Sequence, residues 1–155
     1  MNMFLIIGEA DAGKTTILRH LLGYWKSSKN GRLSRLATKN KGGINIFLKS
    51  FSALQEEKTG PREYIQFIKN HSMKPENVLV PLRIDSINNC GRAVDYVREF
   101  EKEGWNIVAS VVLDSTGNEN YSHYPNCKSV KSRFESDSVP TNKVAYDVRD
   151  HFNWY

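Results

Sequence analysis

The feature that most constrains this chain is a junction near its start. There an apolar run, Met3-Phe4-Leu5-Ile6-Ile7, passes directly into Gly8-Glu9-Ala10-Asp11-Ala12-Gly13-Lys14-Thr15. Five consecutive apolar residues read as a strand buried on both faces, as in parallel sheets. Past the loop, Ile17, Leu18, Leu21, Leu22 and Trp25 recur at helical spacing. The two glycines allow a turn tight enough for backbone N–H groups to converge on an anion at a helix N-terminus. In the pattern G-x-x-x-x-G-K-T the lysine reaches the β- and γ-phosphates of a nucleotide and the threonine hydroxyl ligates Mg²⁺. Gly8, Glu9, Ala10, Asp11, Ala12, Gly13, Lys14, Thr15 and Thr16 are therefore the candidate nucleotide-binding residues, with Lys14 also catalytic and Thr15 a metal ligand.

The rest of the chain alternates strand and helix patterns. Residues 26–43 are polar and basic and read as a long connection with a short helix at 32–37, followed by a strand at 44–48. A polar stretch at 52–60 leads to a helix from Pro61, whose ring suits a first turn and whose buried face is Tyr64, Ile65, Phe67 and Ile68. A third strand, 77–82, contains Pro81, expected where the strand leaves the sheet because proline donates no ladder bond. A helix over 89–103 stops at Gly104, a fourth strand covers 105–113, and residues 115–140 read as a long loop or lid. The chain closes with a helix from Thr141 or Asn142 that buries Val144, Ala145, Val148 and Phe152. This alternation predicts one α/β domain over 1–155, a mostly parallel sheet in three layers with helices on both faces.

Composition excludes several classes. No run approaches the roughly 18 apolar residues of a membrane span. Cys90 and Cys127 are too few for a disulfide framework, and no leader pattern opens the sequence, so a cytoplasmic protein with no membrane contact is expected. The net charge of +5 is placed unevenly. From Ala12 to Gln55 there are nine Lys and Arg residues and no Asp or Glu. Such a segment suits a polyphosphate nucleotide, or a nucleic-acid contact through residues 26–41.

The loop with its flanking strand and helix resembles the P-loop NTPase superfamily, which implies ATP or GTP as ligand and Mg²⁺ as cofactor. The stretches Val78-Leu79-Val80-Pro81-Leu82-Arg83-Ile84-Asp85-Ser86 and Ile107-Val108-Ala109-Ser110-Val111-Val112-Leu113-Asp114, with the helix between them, resemble partition ATPases of the ParA/MinD type. Three features depart from that pattern. Glu9 stands where those proteins carry a lysine after the first glycine, the strand at 44–48 ends in Lys49-Ser50-Phe51 with no metal-binding aspartate, and the chain is shorter. The tail Asp11-Ala12-Gly13-Lys14-Thr15-Thr16 is also similar to translational GTPases, and Asp114-Ser115-Thr116-Gly117 satisfies D-x-x-G, but no N-K-x-D follows.

Phosphoryl chemistry needs a carboxylate near Mg²⁺ and a group that positions the nucleophile. Asp114, ending an apolar strand, and Asp85, just past another, are the candidate metal carboxylates, and Asp114 is also a catalytic candidate. Gln55, with Glu56 beside it, is the candidate that orients water. Arg83 should face the same carboxyl-end crevice. Lys128, Lys131 and Arg133, in the expected lid, are the cations a phosphotransferase would use. The leading expectation is a small Mg-dependent NTP hydrolase, ATPase before GTPase, coupled to a protein partner. The alternatives are a P-loop kinase for small molecules and a nucleotide- or nucleic-acid-binding module with little catalysis.

Overall fold

Strand β1 (Asn2–Gly8) lies inside the sheet, and the other elements assemble around it. The structure is a computed structural model that describes residues 1–26, 28–40, 42–114, 121–132 and 141–155. After β1 come α1 (Lys14–Leu22), β2 (Arg32–Thr38), β3 (Gly42–Leu48), α2 (Pro61–Lys69), β4 (Asn77–Arg83), α3 (Ala93–Lys102), β5 (Asn106–Asp114), β6 (Cys127–Lys131) and α4 (Thr141–Phe152). The strands form one mixed sheet in the order β2-β3-β4-β1-β5-β6, and β2 alone runs antiparallel to its neighbour. Among the described residues, no helix is long and apolar enough to cross a membrane.

Alternation along β1 builds the two cores. Met3, Leu5 and Ile7 pack with Tyr64 and Ile65 of α2 and Tyr96 and Phe100 of α3. Phe4 and Ile6 pack on the other face with Leu18 and Leu21 of α1 and Val148 and Phe152 of α4. Each of these β1 side chains is at most 5% exposed. Each such burial contributes about 1.5–3 kcal/mol. The expected α/β architecture with helices on both faces is therefore present.

Three local expectations are corrected. Residues 32–37 are a strand and not a helix. Leu33 and Leu36 mimic helical spacing, yet seven residues of β2 pair in register with β3, satisfying backbone groups that an isolated turn of helix would leave open. Residues 115–140 are not all loop, because Cys127–Lys131 pairs with β5 from Ser110 to Asp114. The lid cations Lys128 and Lys131 are therefore strand residues, while Arg133 and Ser115 to Gly117 lie outside the described residues. Pro81 does not end its strand, since β4 continues to Arg83 and Pro81 pairs with Ile6. Its missing N–H is tolerated because the β3 ladder reaches β4 only at Phe47–Val78, and beyond it the Leu54 N–H donates to the Pro81 carbonyl at 3.2 Å.

The start of α3 is also set differently from the sequence reading. Asn88, Asn89 and Gly91 all adopt positive φ, so the chain turns before the helix begins. The Asp95 carboxylate then accepts from the Arg92 N–H at 2.8 Å, closing the first turn.

Candidate functional site

The carboxyl ends of β4, β1 and β5 meet beneath the loop after β1, with Gly8 in register with Arg83 on one side and Leu113 on the other. In sheets of this kind, ligands bind beyond the carboxyl ends of the strands. The loop leaves Gly8 so tightly that a Cβ there would stand 3.0 Å from the Ala12 Cβ and 3.3 Å from the Leu113 carbonyl oxygen. Asp11 (φ 61°) and Gly13 (φ 91°) both lie in the left-handed region, and that reverses the chain into α1. Gly13 is the N-cap, no side chain caps the helix, and the first bond runs from the Ile17 N–H to the Gly13 carbonyl.

An uncapped α-helix opens with N–H groups that have no acceptor within the helix. Here they open on a cleft of about 400 Å³ lined by Asp11, Gly13, Lys14, Thr15, Thr16 and Glu56. Lys14 is 6% exposed, and its Nζ donates to the Gly8 and Glu9 carbonyls at 2.9 and 2.6 Å, strapping the loop from within. Burial lowers its pKa, opposed by the negative charges of Glu56, Asp85 and Asp11 and reinforced by Arg83. A bound phosphate would act with those acids and hold the ammonium charged. The Thr15 hydroxyl donates to the Phe51 carbonyl at 3.2 Å. Its proton is thereby engaged and its lone pairs stay available to a cation.

The other sequence candidates stand in different relations to this cleft. Gln55 is fully buried and holds the Arg83 main chain, accepting from its N–H and donating to its carbonyl, with Gly91 as a further acceptor. It is a positioning residue and does not face the cleft; its neighbour Glu56 does. The Asp114 carboxylate accepts from Ser129 and Tyr121, so it ties β5 to β6 and to residue 121 and is not part of the cleft lining. Asp85 is gripped by Arg83 through two bonds, at 3.1 and 2.6 Å, and that pairing holds its carboxyl below the usual carboxylate range. Among the described residues, no three His, Cys, Asp or Glu side chains cluster to hold a metal. Mg²⁺ on a nucleotide relies on few protein ligands together with phosphate oxygens and water, and Thr15 with Glu56 or Asp11 is the set that lines the cleft.

One contributor has no sequence signal at all. Ser132, just past β6 and 2% exposed, donates from its hydroxyl to the Ala12 carbonyl at 2.5 Å. Its own N–H donates to the Asp114 carbonyl at 2.8 Å. The far end of the sheet thus holds the loop across 120 residues of sequence. Comparison of the chain with family models, with curated proteins and with solved structures returned no match.

Proposed function

We propose that this protein is a P-loop nucleoside-triphosphate-binding protein, and that it acts as a small Mg-dependent NTP hydrolase, ATPase before GTPase, whose turnover is coupled to a partner protein. The observation that carries the reading is the uncapped start of α1 opening on a cleft lined by Gly13, Lys14, Thr15 and Thr16. The β- and γ-phosphates would take the first-turn N–H groups and the Lys14 ammonium, which would exchange its loop carbonyls for phosphate oxygens. Thr15 would hold Mg²⁺ through its lone pairs, and Glu56, across the cleft, would order the metal-bound or attacking water.

Lys14 supplies charge to the transferring phosphoryl group, and the buried loop fixes where that charge sits. Arg83, paired with Asp85, is held on the main chain by Gln55, and its charge acts on Lys14.

The test is thermal unfolding of the purified chain with Mg·ATP, Mg·GTP or neither, followed by phosphate release. Wild-type protein should melt several degrees higher with at least one nucleotide present in excess of its Kd. Lys14→Ala should lose that shift, measured against its own melting temperature without ligand, because the substitution also frees the two loop carbonyls that the ammonium holds. A Lys14→Ala variant that keeps the full shift would sink the reading. Diphosphate formation that appears only when a hydroxyl-bearing acceptor is added, with the phosphoryl group on the acceptor and no free phosphate, would move the protein to the phosphotransferases.

A further inference from the structure

The basic segment of the sequence is only partly used by the nucleotide reading, and six of its nine cations fall into two groups in the fold. Lys39 pairs with Asp150 and Lys49 with Glu57, both at 2.6 Å. Arg19, Lys26, Lys29 and Arg32 make no ion pair among the described residues. Two of these four stack on aromatic rings. The Arg19 guanidinium lies over Phe51 at 5.2 Å and over Tyr24 at 5.5 Å, and that of Arg32 lies over Trp25 at 5.9 Å. Trp25 and Phe51 are themselves packed with ring centroids 4.4 Å apart.

The stack ends in an unusual way. Tyr24 is 80% exposed, more than the other large apolar side chains that reach the surface among the described residues. Lys26 and Lys29 follow it on the exposed connection between α1 and β2. A ring backed by a guanidinium and left open to solvent does nothing for the core, and four cations with no acidic partner raise the local potential. An exposed ring and four cations without acidic partners thus fall within the stretch that runs from α1 to the start of β2.

We infer that Tyr24, Arg19 and Arg32, with Lys26 and Lys29, form a docking surface for single-stranded nucleic acid. An unpaired base stacks on the exposed Tyr24 ring, and the adjoining phosphates meet Lys26, Lys29 and the edge of Arg32. Single strands fit and duplexes do not, because a lone exposed ring needs a base free of its own stack. The guanidiniums of Arg19 and Arg32 already lie over rings, so less of their side-chain freedom remains to be lost on binding.

The experiment is fluorescence anisotropy of the full chain with labelled oligouridylate and oligothymidylate of about 12 nucleotides. It is run without nucleotide over a series of salt concentrations. With three phosphate contacts, log K should fall against log salt with a slope near −2.1 at about −0.7 per contact. Tyr24→Ala should weaken binding by about 5- to 100-fold, whereas Tyr24→Phe should bind as wild type. Lys26→Ala and Lys29→Ala should each flatten the slope by about 0.7. Tyr24 is exposed, so loss of fold does not explain its effect, and unchanged melting confirms that. Three results would overturn the inference. These are no binding at low salt, equal binding of an abasic oligomer with no effect of Tyr24→Ala, or tighter binding of duplex or of polyglutamate. Lys14→Ala protein serves as the control: it should keep the oligonucleotide affinity even where its nucleotide response is gone, so this proposal and the phosphate-loop reading fail separately.

Discussion

Gln55 grips Arg83 by both ends of its peptide framework: the Gln55 Oε1 accepts from the Arg83 N–H at 3.0 Å, and the Gln55 Nε2 donates to the Arg83 carbonyl at 2.9 Å. The side chain is fully buried and acts as a short extra strand of hydrogen bonds at the end of β4. It continues the role that the 53–55 segment begins where the Leu54 N–H meets the Pro81 carbonyl.

Removing that clamp should be costly. Gln55→Ala leaves a buried N–H and two carbonyls short of a partner, and about 3 kcal/mol of stability should be lost. Urea unfolding with an unchanged m-value is the measurement. A loss below about 0.5 kcal/mol, the ordinary range for an innocuous surface change, would show the clamp to be incidental.

Ser132 is expected to act on the loop. Ser132→Ala removes the donor to the Ala12 carbonyl, so the variant should lose about 1–2 kcal/mol of stability. The loop it steadies should then hold phosphate less well, and nucleotide affinity measured by calorimetry should fall by more than the same change at exposed Ser122 produces.

Glu56 and Asp114 should show opposite profiles. Glu56 is exposed at the cleft, so Glu56→Gln should leave stability within about 0.5 kcal/mol. Turnover should nevertheless drop by about 100-fold or more if its carboxylate orders water. Asp114→Asn weakens the acceptor for Ser129 and Tyr121, so it should reduce stability and leave the Mg²⁺ dependence of nucleotide binding where it was. Denaturant curves and Mg²⁺ titrations of both variants decide between the two carboxylates.

Alkaline pH should unfold the protein through its tyrosines. Burial pushes Tyr64 and Tyr96 well above their usual range and Tyr124 up to about 12. In the unfolded chain a tyrosine titrates near 10. Above that pH the unfolded state therefore binds fewer protons than the folded one, and stability falls as pH rises. Lys14, lowered by burial, works the other way below its usual 10.5, but the three tyrosines are joined by Cys127, whose thiol burial pushes up to about 11. Tyrosinate absorbance should accordingly contain a cooperative step that coincides with loss of circular dichroism. A smooth titration of all tyrosines in a protein that stays folded would contradict the burial of these three.

Much of the fold was legible because it rests on local patterns. The apolar runs of β1, β4 and β5 need no partner to be recognised, since strands covered on both faces carry their burial in every residue. The helices α2, α3 and α4 announce themselves by periodicity, and the loop between Gly8 and Thr15 by the spacing of its glycines and lysine. The two edge strands were missed for the complementary reason. Arg32–Thr38 and Cys127–Lys131 are half-exposed and polar, so what makes them strands is a neighbour's row of N–H and C=O groups and not their own composition.

The sequence by itself determined that a strand, a glycine-bounded loop and a helix follow one another, because those residues are adjacent and their geometry is local. Only the tertiary structure decided which side chains share the cleft with them. Gln55 and Glu56 are neighbours in sequence, and the turn they occupy buries the amide against Arg83 and leaves the acid facing Lys14. Asp114 ends a strand beside the loop yet is taken up by Ser129, while Ser132, unremarkable in sequence, reaches back to Ala12. Contacts of that kind depend on strand order and register, which couple residues more than a hundred positions apart and leave no trace in local spacing.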